Sequence, residues 1–129
     1  MILDTSFLVD VLRGEEGIDE LLQTVDRSGP AQVSSVTIME LWEGIHLADS
    51  SGEEKQVVRE LLEGVHELPF DRECAMEAGA ISAGLRQSGQ QIETADVQIG
   101  AAARVYDVPV VTNNADHFER IDGIEVVPY

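Results

Sequence analysis

The chain opens Met1-Ile-Leu-Asp4-Thr-Ser-Phe-Leu-Val-Asp10, and these ten residues decide how the rest is read. Met1 to Leu3 is a short apolar run suited to a buried strand. Asp4 stops it, and Thr5-Ser6 are placed to cap a helix from Phe7 to Arg13 that ends at Gly14. A carboxylate at the C-terminal end of the first strand of an α/β chain sits where such folds place their ligand crevice. The same aspartate also fits a plain Asx-turn.

Working outward, strands and helices alternate. A second helix is expected from Ile18 to about Arg27, broken by Ser28-Gly29-Pro30. A second strand spans Ala31 to Val36, and a helix opens at Thr37 with Leu41, Ile45 and Ala48 on one face. After the loop at Asp49–Gly52, Val57, Val58, Leu61, Leu62 and Val65 mark another helix, and a third strand lies within Val65–Phe70. Asp71 is placed to cap a helix from Arg72 to Gln87, and Thr94 one from Ala95 to Tyr106. Val110–Thr112 reads as a strand, Asn113–Glu119 as a loop with a helical turn, and Ile124–Val127 as a final strand. This alternation predicts a parallel sheet covered by helices on both faces, in a single domain over residues 1–129. Right-handed crossovers would bring every strand's C-terminus to one edge.

Composition narrows the function classes. A lone cysteine, Cys74, rules out an intramolecular disulfide framework. No window has the length of a membrane span and no signal-type segment opens the chain, so a cytoplasmic location without membrane attachment is expected. Asp and Glu number 25 against 8 Lys and Arg, a formal net charge of −17, while the hydrophobic fraction of 43% is that of a folded domain. Lys55 is the only lysine. Acid spread evenly along a folded chain is the pattern of halophilic proteins, and a salty cytoplasm is the expected setting.

Four acids stand out by position. Asp4 ends the first strand, Glu40 lies in the first turn of the helix after the second, Asp96 in the first turn of the helix before the fourth, and Asp116 follows the fourth strand with Asn114 just ahead. With the first and fourth strands adjacent, all would face one crevice. Clustered carboxylates repel one another unless a cation neutralises them, and an all-oxygen ligand set favours Mg²⁺ or Mn²⁺ over zinc. Such ions polarise a phosphodiester, activate water and stabilise a leaving oxygen, which is nuclease chemistry. Each residue also has a structural reading: Thr37-Ile-Met-Glu40 fits a capping box, Asp96 complements a helix dipole, and Asn113-Asn-Ala-Asp116 fits a turn.

Taken in order, Ile2-Leu-Asp4-Thr-Ser-Phe-Leu-Val-Asp10, Thr37-Ile-Met-Glu40-Leu-Trp-Glu-Gly44, Thr94-Ala-Asp96-Val-Gln-Ile-Gly and Val110-Val-Thr112-Asn-Asn114-Ala-Asp116-His-Phe118 closely resemble the PIN-domain family, specifically VapC toxins. The resemblance extends over essentially the whole chain. It implies a three-layer α/β/α sandwich with a central parallel sheet and Mg²⁺- or Mn²⁺-dependent endoribonuclease activity. It also implies homodimerisation and a cognate VapB-type antitoxin. Asp4, Glu40 and Asp96 match the family's three acidic positions, and Ser6 and Thr112 match supporting ones. For the fourth position the expectation is Asp116, with Asn114 assisting. The alternative is a PIN-like binding module for RNA or protein that has lost catalysis, but its mark would be a missing core acid and all three are present. A dehalogenase-type phosphatase would need a second Asp where Ser6 stands, and a receiver domain a late-strand Lys that Thr112-Asn-Asn does not offer.

Overall fold

The computed structural model describes residues 1–14, Glu20, Gln23, Val25, Arg27 and 30–129. Most of the second helix expected between Ile18 and Arg27, and the break at Ser28-Gly29, lie outside them. The described elements run β1 (Ile2–Leu3), α1 (Thr5–Arg13), β2 (Gln32–Ser34), α2 (Ser35–Leu47), α3 (Gly52–Glu63), β3 (His66–Leu68), α4 (Arg72–Gln87), α5 (Thr94–Tyr106), β4 (Val110–Thr112), α6 (Ala115–Glu119) and β5 (Val126–Pro128).

The strands form one sheet in the order β3-β2-β1-β4-β5, and every pair is parallel. β1 therefore lies at the centre, between β2 and β4. From it the chain winds outward to β3 on one side and later to β5 on the other. The strand order thus reverses between β1 and β4, and in open parallel sheets the crevice beyond the strand C-termini opens at such a point. The α/β sandwich predicted from the alternation of elements is the architecture observed.

Neighbouring residues within each strand point to opposite faces, and the core divides accordingly. Ile2 and Val110 join one buried cluster with Cys74, Ala78, Ile81, Ile99, Ala102 and Phe118, contributed by α4, α5 and α6. Leu3, Val33 and Val111 join the other with Phe7, Leu8, Val25 and Leu41. On the first face, α4 and α5 pack most extensively against each other, with Ala78, Ile81, Ala101 and Ala102 buried in the cluster. At Gly100, where α5 meets the segment after α6, a Cβ would force the end of the Ile121 side chain to shift.

Three helix starts differ from expectation. Asp4 itself is the N-cap of α1 and accepts from the Thr5 amide, so Thr5 and Ser6 are helical. Helix α2 begins at Ser35, two residues before Thr37, because the Ser34 hydroxyl accepts from the Val36 amide. Thr37 then lies inside the helix, fully buried, and the Thr37–Glu40 capping box does not form. Helix α5 starts after Glu93 with no side-chain cap, not with Thr94 as its cap. Asp71 caps α4 as expected, accepting from the Cys74 amide at 3.0 Å. Among the described residues, no helix is long and apolar enough to cross a membrane.

The surface acid has a consequence for stability. With 25 acids and 8 Lys and Arg, most carboxylates can have no basic partner. Raising ionic strength from low salt to molar KCl shortens the screening length from roughly 30 to ~3 Å. The melting temperature should therefore rise by several degrees over that range, as followed by circular dichroism. A flat profile would remove the halophile reading.

Candidate functional site

Beyond the C-terminal ends of β1 and β4 lies an open cleft of about 490 Å³, whose lining includes Asp4, Ser6, Asp10, Arg13, Glu40, Glu93, Asp96, Asn113 and Asn114. The fold has brought together residues far apart in sequence, each fixed by its own element.

Asp4 is held most firmly. It is buried, with one oxygen accepting the Thr5 amide at 2.8 Å. The other accepts two hydroxyls, Ser6 at 2.9 Å and Thr112 at 2.8 Å. Thr112 also accepts from the Asn114 amide at 2.9 Å, so one hydroxyl fixes both the acid and the turn after β4. The supporting roles expected of Ser6 and Thr112 correspond to real hydrogen bonds. Asp4 is both the helix cap and part of the cleft lining, so the two placements coexist.

Glu40 reaches the cleft from the second turn of α2. Its carboxylate accepts from the Thr5 hydroxyl at 2.6 Å, which ties α2 to the start of α1. Burial raises its pKa above the usual carboxylate value; the Thr5 hydrogen bond opposes this, while the charges of Asp4, Asp96 and Glu93 add to it. Asp96, in the first turn of α5, is buried and likewise raised. Burial is the main cause, countered by a hydrogen bond from His117 and reinforced by Asp4 and Glu93. In both, burial is the first cause and the neighbouring acids add to it. Each contributes stability that is present at acid pH and lost as pH rises through its raised titration range.

Asp96 has a partner that sequence reasoning missed. His117 Nδ1 lies 2.8 Å from Asp96 Oδ2, a pairing that needs one proton between them. The Asn114 side-chain nitrogen lies 2.8 Å from the same ring nitrogen and 3.5 Å from the carboxylate. Asn114 and His117 are three residues apart on α6 and its N-cap, so they share a face. That spacing was the available signal. Glu93, another cleft residue missed in sequence, carried none beyond its place ahead of Thr94.

The structure does not bring Asp116 to this cleft. Its side chain is 80% exposed and pairs with Arg120 at 2.9 Å along α6. Of the two residues expected at the fourth position, Asn114 lines the cleft and Asp116 lies on the outer surface.

The donors around the cleft are carboxylate, hydroxyl and amide oxygens, with His117 turned to Asp96. Among the described residues, no three His, Cys, Asp or Glu side chains close around one point as a ready cage. The acids line the cleft walls instead. Their chemistry, hard oxygens under mutual repulsion, fits Mg²⁺ or Mn²⁺ and not zinc.

Comparison with known proteins agrees with this geometry. The model of the PIN domain matches residues 1–124. The chain is 33% identical over 94 residues to the tRNA(fMet)-specific endonuclease VapC of Salmonella typhimurium, spanning 73% of this chain and 71% of that protein. Among solved structures, the DNA-bound VapBC complex of Salmonella typhimurium contains a chain with TM-score 0.84 and 28% identity, covering 98% of this chain and 96% of that one. VapBC2 of Rickettsia felis, bound to a promoter DNA fragment, superposes with TM-score 0.91 over 99% of this chain and 97% of that one. At 21% identity, that match speaks for the fold alone. The chain belongs to the PIN-domain family and, within it, to the VapC nucleases.

Proposed function

We propose that this protein is the toxin of a type II toxin–antitoxin pair, a metal-dependent endoribonuclease acting as a single domain in the cytoplasm. The observation that carries the reading is the convergence of Asp4, Glu40 and Asp96, from three separate elements, on one cleft at the switch point of the sheet. These three would hold Mg²⁺ or Mn²⁺, with Asn114 at the fourth position. When bound, the ion supplies Lewis-acid chemistry that activates water and stabilises the leaving oxygen.

The chain's own residues do the rest. Ser6, Thr112 and the Thr5 amide fix the Asp4 carboxylate; Thr5 orients Glu40; His117 and Asn114 orient Asp96. Arg13 is a cation on the cleft wall, suited to a substrate phosphate. Cleavage of a structured RNA in molar KCl should require Mn²⁺ or Mg²⁺ and stop with EDTA. Equal cleavage with and without chelator would overturn the reading, and no cleavage with metal would favour the inactive module.

A second surface supports the antitoxin. An apolar groove of about 610 Å³ runs beside the acids between α1, α2 and α3, lined by Val9, Leu12, Leu41, Ile45, Val57 and Val58, and it shares Arg13 and Glu40 with the cleft. An amphipathic antitoxin segment placed there could pair its own arginine with the cleft carboxylates. Trp42, on α2 but outside this lining, sits beneath the Arg59 guanidinium at 5.0 Å and edge-on to His46. The assembly proposed is a homodimer carrying one antitoxin segment per site.

The fourth position separates two substitutions. Asn114→Ala removes a group in contact with both Asp96 and His117 and should lower cleavage roughly 10-fold or more. Asp116→Asn should change the rate less than about twofold, since an exposed ion pair is worth ~1 kcal/mol or less. Steady-state rates at saturating Mn²⁺ check this; the reverse order would return Asp116 to the site.

A further inference from the structure

One side chain at the rim of the cleft belongs neither to the acid set nor to the residues matched by the family model. Tyr129 is fixed at three points. Its backbone amide donates to the Thr112 carbonyl at 3.3 Å. Its ring stands edge-on to the buried Phe7, centroids 5.2 Å apart. Its hydroxyl donates to Asp10 Oδ2 at 2.7 Å. The Asn113 amide donates to the same oxygen at 3.3 Å. Asp10 and Asn113 both line the cleft. Burial and the bond to Asp10 raise the phenol pKa, so the hydroxyl remains a donor.

We infer that the Tyr129 hydroxyl is a positioning group that holds the Asp10 carboxylate against Asn113, out of the path of the incoming phosphodiester. Asp10 is half-buried, about one and two-thirds helical turns beyond Asp4, and lines the cleft. It makes no hydrogen bond to the Asp4–Ser6–Thr112 cluster among the described bonds; its two donors are Tyr129, directly after β5, whose hydroxyl also meets Ser6, and Asn113 in the turn after β4. A carboxylate released from them is free to rotate toward the substrate and repel it. Arg13, the cation on the same helix and the same wall, would then face a competing acid in place of a phosphate.

This inference rests on RNA being the substrate. Tyr129→Phe keeps the ring on Phe7 and removes only the hydroxyl. At about 0.1 M salt it should raise KM for an oligoribonucleotide about fivefold, the order that one added like charge gives at contact distance in water, with kcat moving much less. Asp10→Asn removes the charge and should lower KM. In the double variant Tyr129→Phe/Asp10→Asn the penalty should vanish, and molar KCl should shrink it in the single variant. A merely structural role would lower kcat and the melting temperature together and would not be rescued by Asp10→Asn.

A KM for Tyr129→Phe equal to wild type, or a double variant still impaired, overturns the inference. The same oligonucleotide, titrated by fluorescence anisotropy, reads the Tyr129–Asp10 coupling without turnover. Absence of cleavage with the coupling intact in binding would sink the nuclease reading alone. Absence of coupling in binding would sink this inference.

Discussion

Glu40→Gln is expected to leave the fold intact and remove RNA cleavage by about 10³-fold or more, the scale on which a group acting in the transition state is lost. Gln preserves the length of the side chain and an acceptor for the Thr5 hydroxyl, the one hydrogen bond described for this carboxylate. What it removes is the charge. Mg²⁺ depends on carboxylate ligands, and an amide oxygen is a poor replacement. Because burial and the charges of Asp4, Asp96 and Glu93 disfavour ionised Glu40, the variant in EDTA at neutral pH should melt at or above the wild-type temperature. Loss of activity with gain of metal-free stability identifies a site residue. Wild-type cleavage rates for Glu40→Gln at saturating Mn²⁺ would remove Glu40 from the site. Thr37→Ala is the control: Thr37 contacts the Thr5 hydroxyl at 3.2 Å but caps nothing, so it should change stability more than chemistry.

The largest expected effect on stability comes from Phe118→Ala. Phe118 is wholly buried in the cluster of α4 and α5, and it is the only buried residue of the five-residue helix α6. Truncation should cost about 3–5 kcal/mol, from lost burial and a cavity that the short helix cannot fill. That is a large share of the stability of a small domain and corresponds to a fall in melting temperature on the order of 10–20 °C. Since α6 also presents His117 and Asn114 to Asp96, cleavage should fall even at temperatures where the variant remains folded. A loss below about 1 kcal/mol in urea titration would mean that α6 is not anchored through this ring.

Most of the architecture could be read from residue order because its signals are local. Leu3-Asp4 and Val111-Thr112 are short apolar runs closed by polar residues, and the helices between the strands carry their apolar residues at helical spacing. The misreadings have a common origin in the exact start and rotation of helices. Ser34 and Thr37 are both competent caps, and which one acts depends on where β2 stops pairing with β3, a tertiary fact. Starting α2 two residues earlier moves Glu40 out of the capping position and leaves it free for the cleft. On α6 each residue turns by about 100°, so Asn114 and His117 face Asp96 while Asp116 faces Arg120. Charge alone had favoured Asp116; the turn of the helix brings Asn114 to the cleft instead. The Tyr129–Asp10 contact spans 119 positions, and no local pattern announces it.

The hydroxyl of Thr112 reaches Asp4 across 108 positions of sequence. The Asp4 carboxylate lacks one of its two hydroxyl donors until β4 has inserted beside β1. Asp96 waits in the same way for Asn114 and His117. Contacts so distant along the chain form late, after the local helices. The acidic cleft is thus among the last features to assemble. Cutting the chain before β4 would leave the Asp4 and Asp96 carboxylates without these partners, so the shape of the cleft depends on a part of the chain remote from the strand that opens it.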